Sequence, residues 1–233
     1  MGDTMRVGVI GAGAISQVAH LPVLRKLKGV EVAAICDADF PKARALADRF
    51  QVESAFDDIE DLLANSELDA VVICTPNHLH EGHVLAALRA GLHVLVEKPL
   101  ALNTASAQRV VRAAAKKDRV VMVGMNHRYR SDVQIARRPV QTGELGDVES
   151  VRGSWHVFRP SRAMLGWRLK RDLSGGGAML DLGLSILDLG LWLTGNPKPV
   201  RVSATLDRAG RERATEHAGS AFVVLENGAC IFV

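Results

Sequence analysis

Residues 5–16 read Met5-Arg6-Val7-Gly8-Val9-Ile10-Gly11-Ala12-Gly13-Ala14-Ile15-Ser16, and the fold follows from them together with Asp37. Met5 to Ile10 is a short apolar run rich in β-branched residues, the pattern of a parallel strand buried on both faces. Gly11-Ala12-Gly13 follows at once, and Ala14 opens a helical pattern. In this strand–glycine–helix order the first glycine allows a tight turn. The second removes the side chain that would keep a diphosphate from the helix N-terminus. Ser16 holds the third position of the fingerprint in place of Gly or Ala, and is still small enough for close helix–strand packing. A second apolar run, Val30 to Cys36, ends at Asp37. That acid falls roughly 20 residues after Ser16, where such folds need an acceptor for the hydroxyls of an adenosine ribose. A glycine turn without a ligand is the plainer alternative, but strand, helix and acid together favour a dinucleotide site.

The chain of 233 residues is 48% hydrophobic and 24% charged, a composition able to bury a core of one large or two modest domains. A net charge of +3, with only three Trp and one Tyr, argues against nucleic acid as a partner. Cys36 and Cys74 end predicted strands and Cys230 lies in another, which reads as reduced thiols in a cytoplasmic protein. No basic-then-apolar leader precedes the first strand, and Arg6 stands where myristoylation needs Ser or Thr. The most apolar helix, around Met179 to Leu193, is interrupted by Asp181 and Asp188, so it is not read as a membrane span.

Strands and helices alternate through the first half. Ala14 to Lys28 reads as a helix kinked at Pro22, and Pro41 opens a second that runs to Phe50. A strand at Val52 to Phe56, a helix at Asp58 to Asn65 and a buried strand at Asp69 to Cys74 follow. Asn77 is placed to cap the next helix and Gly91 to end it. Leu92 to Val96 is a strand, Asn103 or Thr104 caps a helix to Lys117, and Arg119 to Val123 is a last strand. This rhythm means a doubly wound parallel sheet over residues 1–124. Residues 125–233 change character: a helix from Ser131 to Thr142 broken near Pro139, a strand from Asp147 to Phe158, and a loop from Pro160 to Ser174. Gly175-Gly176-Gly177 then opens the helix Ala178 to Leu193, closed by Gly195. Pro199 to Leu206, Ser220 to Leu225 and Ala229 to Val233 are strands, the last two joined at Glu226-Asn227-Gly228. The overall expectation is α/β, a Rossmann-type domain followed by an α+β domain with an open, mainly antiparallel sheet.

Ligands of open α/β sheets bind beyond the carboxyl ends of the strands, and Thr75 to His78, Glu97-Lys98-Pro99 and Gly124 to Arg128 occupy such ends. Lys98 is either a proton-handling amine or a surface Lys-Pro turn, and Glu97 would hold it as a cation if their side chains met. A cis Lys98–Pro99 bond is expected. His78, His80 and His83 have no cysteine nearby to complete a four-ligand set, which favours capping or cofactor contacts over a metal. The glycine triplet reads as a close backbone approach to a helix start, since no Gly-Lys-Ser follows it. Asp181, Ser185 and Asp188 fall at i, i+4 and i+7 on one face of an apolar helix, needing either structural partners or a ligand. Arg128, Arg130, Arg137, Arg138, Arg152, Arg159, Arg162, Arg168, Lys170 and Arg171 make the middle region basic, mostly a solvated face.

Gly11-Ala12-Gly13, Asp37, Thr75-Pro76-Asn77, Glu97-Lys98-Pro99, Gly166-Trp167-Arg168, and Gly175-Gly176-Gly177 leading into Asp181-Leu182-Gly183 together resemble one family. It is the glucose–fructose oxidoreductase, inositol dehydrogenase and rhizopine-catabolism (Gfo/Idh/MocA) family of nicotinamide-dependent sugar and polyol oxidoreductases. The resemblance implies hydride transfer between a sugar or polyol carbinol carbon and NAD, with NADP as the alternative; Asp37 favours NAD by repelling a 2′-phosphate. It assigns catalysis to Lys98, Asp181 and Ser185. Cofactor binding falls to Gly11, Gly13, Ala14, Ile15, Asp37, Thr75, Pro76, Asn77, His80, Glu97, Lys98 and Asn126. Substrate binding falls to Lys98, Arg128, Trp167, Arg168 and Asp181, with no metal. Lys98 matches the family lysine that orients the hydroxyl and shares in proton transfer, and Asp181 matches the aspartate of an Asp-x-x-x-His pair.

Ser185 departs from that pair, because serine holds no proton near neutral pH. Proton removal then rests on Lys98, on Asp181, or on a water relayed through Ser185, with His127 or His156 as substitutes if the fold brings one near. The resemblance also implies further strands beyond Val233, so the chain reads as a partial member that self-associates through its second sheet. Ser185 and the short sheet motivate a second expectation, a cofactor-binding regulatory or assembly subunit without turnover. A third is an NAD-dependent glycosidase on the same scaffold.

Overall fold

A computed structural model describes residues 4–158, 166–208 and 215–233, and its opening apolar run is strand β1, Met5–Ile10. Five strands join it: β2 (Val30–Cys36), β3 (Ser54–Phe56), β4 (Ala70–Ile73), β5 (His93–Val96) and β6 (Val121–Val123). The sheet order is β3-β2-β1-β4-β5-β6 and every pairing is parallel. Parallel neighbours require crossovers, supplied by α1 (Leu21–Leu24), α2 (Phe40–Phe50), α3 (Ile59–Asn65), α4 (His80–Arg89) and α5 (Thr104–Ala115). Both faces of the sheet are covered. Val71 and Ile73 of β4 enter one cluster with Val84, Leu88 and Val110, whereas Val72 enters the other with Val7, Val9 and Leu21. Burying each large aliphatic side chain contributes about 1.5–3 kcal/mol. Helix starts are capped by Asp39, Asp58 and Asn103, each accepting a backbone N–H.

Three local expectations fail here for identifiable reasons. The first helix ends at Leu24 rather than Lys28, and residues Ser16–His20 form a π turn in place of a kink at Pro22. A proline ring clashes with the carbonyl four residues back. The wider turn avoids that clash, and the Leu21 N–H bonds Ser16 O five residues back. Asn77 does not occupy the cap of α4: it opens a 3-10 turn, Asn77–Leu79, and Leu79 takes the cap position. Gly91, at φ +80°, ends that helix as expected.

The chain divides into two compact units, Met1–Gly124 and Met125–Val233. The second holds α6 (Ser131–Gln141), β7 (Ser150–Arg152), α7 (Arg171–Ser174), α8 (Leu184–Leu193), β8 (Pro199–Asp207), β9 (Ala218–Leu225) and β10 (Cys230–Phe232). Its sheet is ordered β7-β10-β9-β8, antiparallel except where β10 pairs β7. Val223, Leu225, Ala229 and Ile231 form its core with Leu187 and Leu191 of α8. Helix α6 continues through Pro139 for two more residues, to Gln141, rather than breaking there. The expected strand Asp147–Phe158 shrinks to Ser150–Arg152, where its partner β10 also ends. The expected loop Pro160–Ser174 contains a 3-10 turn, Trp167–Leu169, and α7; its residues 160–165, and with them Arg162, lie outside the described residues, as does Arg159.

Residues Arg171–Leu193, 23 residues whose most apolar 18-residue window has a mean hydropathy of 1.4, are the one helical run among the described residues with the length and composition to cross a membrane. Leu187 and Leu191 pack on the second sheet and Asp188 is bonded to Arg128. The glycine triplet behaves as the sequence suggests. A Cβ on Gly177 would overlap the backbone carbonyl of Glu216, whose carboxylate also accepts the Gly177 and Met179 N–H groups. We expect Gly177→Ala to lower stability by about 1–3 kcal/mol through this overlap. Gly82→Ala, inside α4 with nothing within 4 Å, should raise it by about 0.5–1 kcal/mol. Thermal denaturation of the two variants checks the opposite signs.

Candidate nucleotide-binding and catalytic site

The loop after β1 is shaped by a close approach. Gly11, at φ +102°, would place a Cβ 2.7 Å from the carbonyl carbon and oxygen of Cys74, so no side chain fits there. Gly13 differs: a Cβ there would meet only Cys74 O at 3.9 Å, so the protein's own packing leaves that space to something else. The helix starts at Ala14, and Ala14 and Ile15 stand exposed in its first turn. Asp37, at the end of β2, is 17% exposed. Its Oδ2 accepts the Ala12 N–H at 2.7 Å and a proton of Lys42 Nζ at 3.1 Å, and its Oδ1 accepts the Asp39 N–H at 3.1 Å. Room over Gly13 at the positive end of a helix, with a fixed carboxylate beside it, fits a dinucleotide's diphosphate and ribose.

The loops after β4 and β5 are tied to each other. His80 is 1% exposed, and its ring nitrogens lie 2.6 Å from Pro99 O and 2.8 Å from Thr75 O. Each nitrogen thus faces a backbone carbonyl, and His80 lies between the two loops. The Lys98–Pro99 bond is cis, as expected. Glu97 Oε1 lies 2.8 Å from His20 Nε2, and Glu97 Oε2 accepts the Lys98 N–H at 3.3 Å. Gly124, ending β6, leaves room for that carboxylate: a Cβ there would sit 3.5 Å from it. Thr75, Pro76, Asn77 and Lys98 are half-buried at these strand ends, and Asn126 is exposed in the 3-10 turn Asn126–Tyr129. His20 was not singled out in the sequence, since nothing local marks a partner 77 residues away.

In the second unit, Asp181 lies half-buried inside a π turn, Met179–Gly183, that precedes α8. The spacing rule for an α-helix therefore does not hold across Asp181, while Ser185 and Asp188 both lie in α8. Ser185 is 6% exposed. Asp188 Oδ2 accepts Arg128 Nε at 2.7 Å and Oδ1 accepts its Nη2, a bidentate pair. Arg128 and Arg137 also lie over the Trp192 ring, so Arg128 clasps its turn to α8 with two of its donors. Trp167 and Arg168 share one 3-10 turn, the guanidinium 4.4 Å above the ring. His127 packs edge-on against Trp155 and His156 is exposed.

Burial pushes the Cys36 thiol up to about 12, reinforced by Asp58 and Asp37. Burial and then Glu97 push Cys74 up as well. Such thiols stay protonated and act as small core hydrophobes. No group of three or more metal-binding side chains occurs among the described residues.

A doubly wound sheet with a glycine turn after β1 and a carboxylate after β2 defines a dinucleotide-binding protein of the Rossmann class. Residues 5–125 match the model of the oxidoreductase family with an NAD-binding Rossmann fold, and residues 133–233 match the GFO/IDH/MocA C-terminal domain. The chain belongs to the Gfo/Idh/MocA oxidoreductase family. It is 33% identical over 204 residues to D-glucoside 3-dehydrogenase of Escherichia coli (strain K12), covering 86% of this chain and 57% of that protein. It is 29% identical over 217 residues to scyllo-inositol 2-dehydrogenase (NADP(+)) IolW of Bacillus subtilis (strain 168), covering 90% and 57%. The WlbA dehydrogenase of Chromobacterium violaceum, solved with NADH and UDP-GlcNAcA, superposes with a TM-score of 0.91 at 26% identity, covering 100% of this chain and 67% of that one. The chain thus spans little more than half the length of its curated relatives.

His83 supplies a pH prediction. Burial, with His80 and His78 nearby, holds its imidazole down at about 4, from 6.5, and Thr75 Oγ1 lies 3.1 Å from its Nδ1. The unfolded chain therefore binds the extra proton first. Stability from neutral His83 is complete above pH 6.5 and is lost as pH falls toward about 4. Urea denaturation across this window should show stability rising with pH by up to about 1.4 kcal/mol per unit from this residue, and His83→Gln should flatten that slope.

Proposed function

We propose that this chain forms the nucleotide-binding and substrate-facing part of an oxidoreductase that moves hydride between a nicotinamide and a hydroxyl-bearing carbon of a sugar or polyol. The observation that carries this reading is the juxtaposition at the strand ends of the first unit: Gly11 and Gly13, Asp37 held by Ala12, and the Glu97-Lys98-Pro99 turn. Amides at the helix start, from Gly13 to Ile15, would hold the diphosphate, with Asp37 accepting from the adenosine ribose. Thr75, Pro76, Asn77, Glu97 and Asn126 would line the remainder of the site. When bound, the nicotinamide supplies or accepts the hydride.

This chain's own residues then handle the hydroxyl. Lys98 Nζ would hydrogen-bond its oxygen and, with Asp181, carry its proton. Ser185 can relay a proton but not hold one. Trp167 and Arg168 would contact substrate oxygens, while Arg128, clasped to Asp188, serves as framework. Free, buried Cys36 and Cys74 suit a reducing compartment such as the cytoplasm. Strand β8 is exposed along its length, and we place self-association at this sheet.

The buried Ser185, lacking a titratable group, favours one second reading: cofactor binding without turnover. NADH titration by fluorescence, followed by oxidation of a panel of polyols and glycosides, separates the two. We expect Asp37→Ala to weaken NADH binding by about tenfold or more, the loss of a charge-assisted hydrogen bond. Lys98→Ala should leave binding intact and lower kcat by about 10²–10⁴-fold. Undiminished kcat in Lys98→Ala removes that residue's role, and tight binding with no turnover in the unaltered chain selects the second reading.

A further inference from the structure

Three successive peptide groups carry the chain from β1 into its helix, and each is held by a particular partner. The Gly11–Ala12 peptide is fixed by its N–H, which Asp37 Oδ2 accepts at 2.7 Å. The Gly13–Ala14 peptide is fixed by its carbonyl, which accepts the Ser16 hydroxyl at 2.7 Å and the Gln17 N–H at 3.2 Å. Between them, the Ala12–Gly13 peptide is fixed by a side chain: Gln17 Nε2 donates to Ala12 O at 3.0 Å. Gln17 is half-buried in the π turn Ser16–His20, and only the NH₂ of its side-chain amide can serve a carbonyl. Ala12, fully buried, is thus gripped by Asp37 at its N–H and by Gln17 at its oxygen.

That grip matters because of the residue that follows. A trans peptide is planar, so its N–H points opposite to its carbonyl. With Ala12 O turned onto Gln17, the Gly13 N–H faces away from that side chain. Glycine tolerates φ on either side of zero, so Gly13 permits this peptide to flip where a residue with a Cβ would resist. A flipped carbonyl would set partial negative charge where the amide stood, and an anion would meet repulsion in place of a donor. The missing side chain that opens the space over Gly13, where a Cβ would meet only Cys74 O at 3.9 Å, therefore also removes the steric guard on the peptide. We infer that Gln17 is a positioning residue for the diphosphate: its hydrogen bond to Ala12 O keeps the Gly13 N–H available as a donor to the anion. The inference rests on nucleotide binding at this loop and not on turnover.

Gln17→Met keeps the length and bulk of the side chain and removes the donor, whereas Gln17→Ala removes both. NADH titration by fluorescence on the full chain, repeated with adenosine as a competitor, tests the assignment. We expect both variants to weaken NADH binding alike, by about three- to tenfold, the range of one hydrogen bond. Adenosine carries no phosphate, and its inhibition constant should stay that of the unaltered chain. Undiminished NADH affinity in Gln17→Met overturns the inference, since a loss confined to Gln17→Ala reports packing. An equal loss for adenosine overturns it as well, because the damage then reaches beyond the diphosphate. An unaltered chain that binds no NADH at all fails the nucleotide-binding reading itself, and the inference with it.

Discussion

Everything at the carboxyl end of the first sheet depends on how closely Gly11 approaches the carbonyl of Cys74. Strand β1 lies between β2 and β4, and the chain must leave it through a gap bounded by Cys36 O, which accepts the Gly11 N–H at 2.7 Å, and by the Cys74 peptide. A backbone at φ +102° without a Cβ passes through that gap. The turn then brings the Ala12 N–H onto Asp37, so the acid at the end of β2 is oriented by the same loop that opens the helix. Local backbone geometry and long-range placement are here one constraint.

The fold was legible because burial on both faces leaves a strong trace. Runs such as Val71-Val72-Ile73 have no polar side to turn outward, and their alternation with capped helices permits few topologies. Pro41, Asp58 and Asn103 announced their helix starts by local chemistry that needs no tertiary context. Irregular turns within helices were not legible. The π turns at Ser16–His20 and Met179–Gly183 keep helical composition while altering helical phase, and periodicity averaged over a helix cannot register one surplus residue. Pro22 was read as a kink when the chain had absorbed it by widening.

Site residues divide along the same line. Gly11, Gly13 and Asp37 could be named from spacing, since their geometry is set by the strand–turn–helix they belong to. Residues whose surroundings depend on a distant partner could not be placed from the sequence. Arg128 looked like a ligand for substrate oxygens and is clasped by Asp188, 60 positions on. His80 looked like a cofactor contact and is buried between two carbonyls. Asp37 was read as a bare repulsive charge, yet it is accompanied by Lys42 at 3.1 Å, which softens its bias against a phosphorylated ribose.

The two π turns have an evolutionary corollary. A π turn is an α-helix carrying one inserted residue, so a lineage that deletes it swings the following side chains by about 100°. In the first helix that would carry His20 away from Glu97; in the other it would re-aim the stretch holding Asp181. Gaps of a single position in these helices, when related chains are aligned, should therefore track a changed partner for the acid beside the lysine far better than overall divergence does.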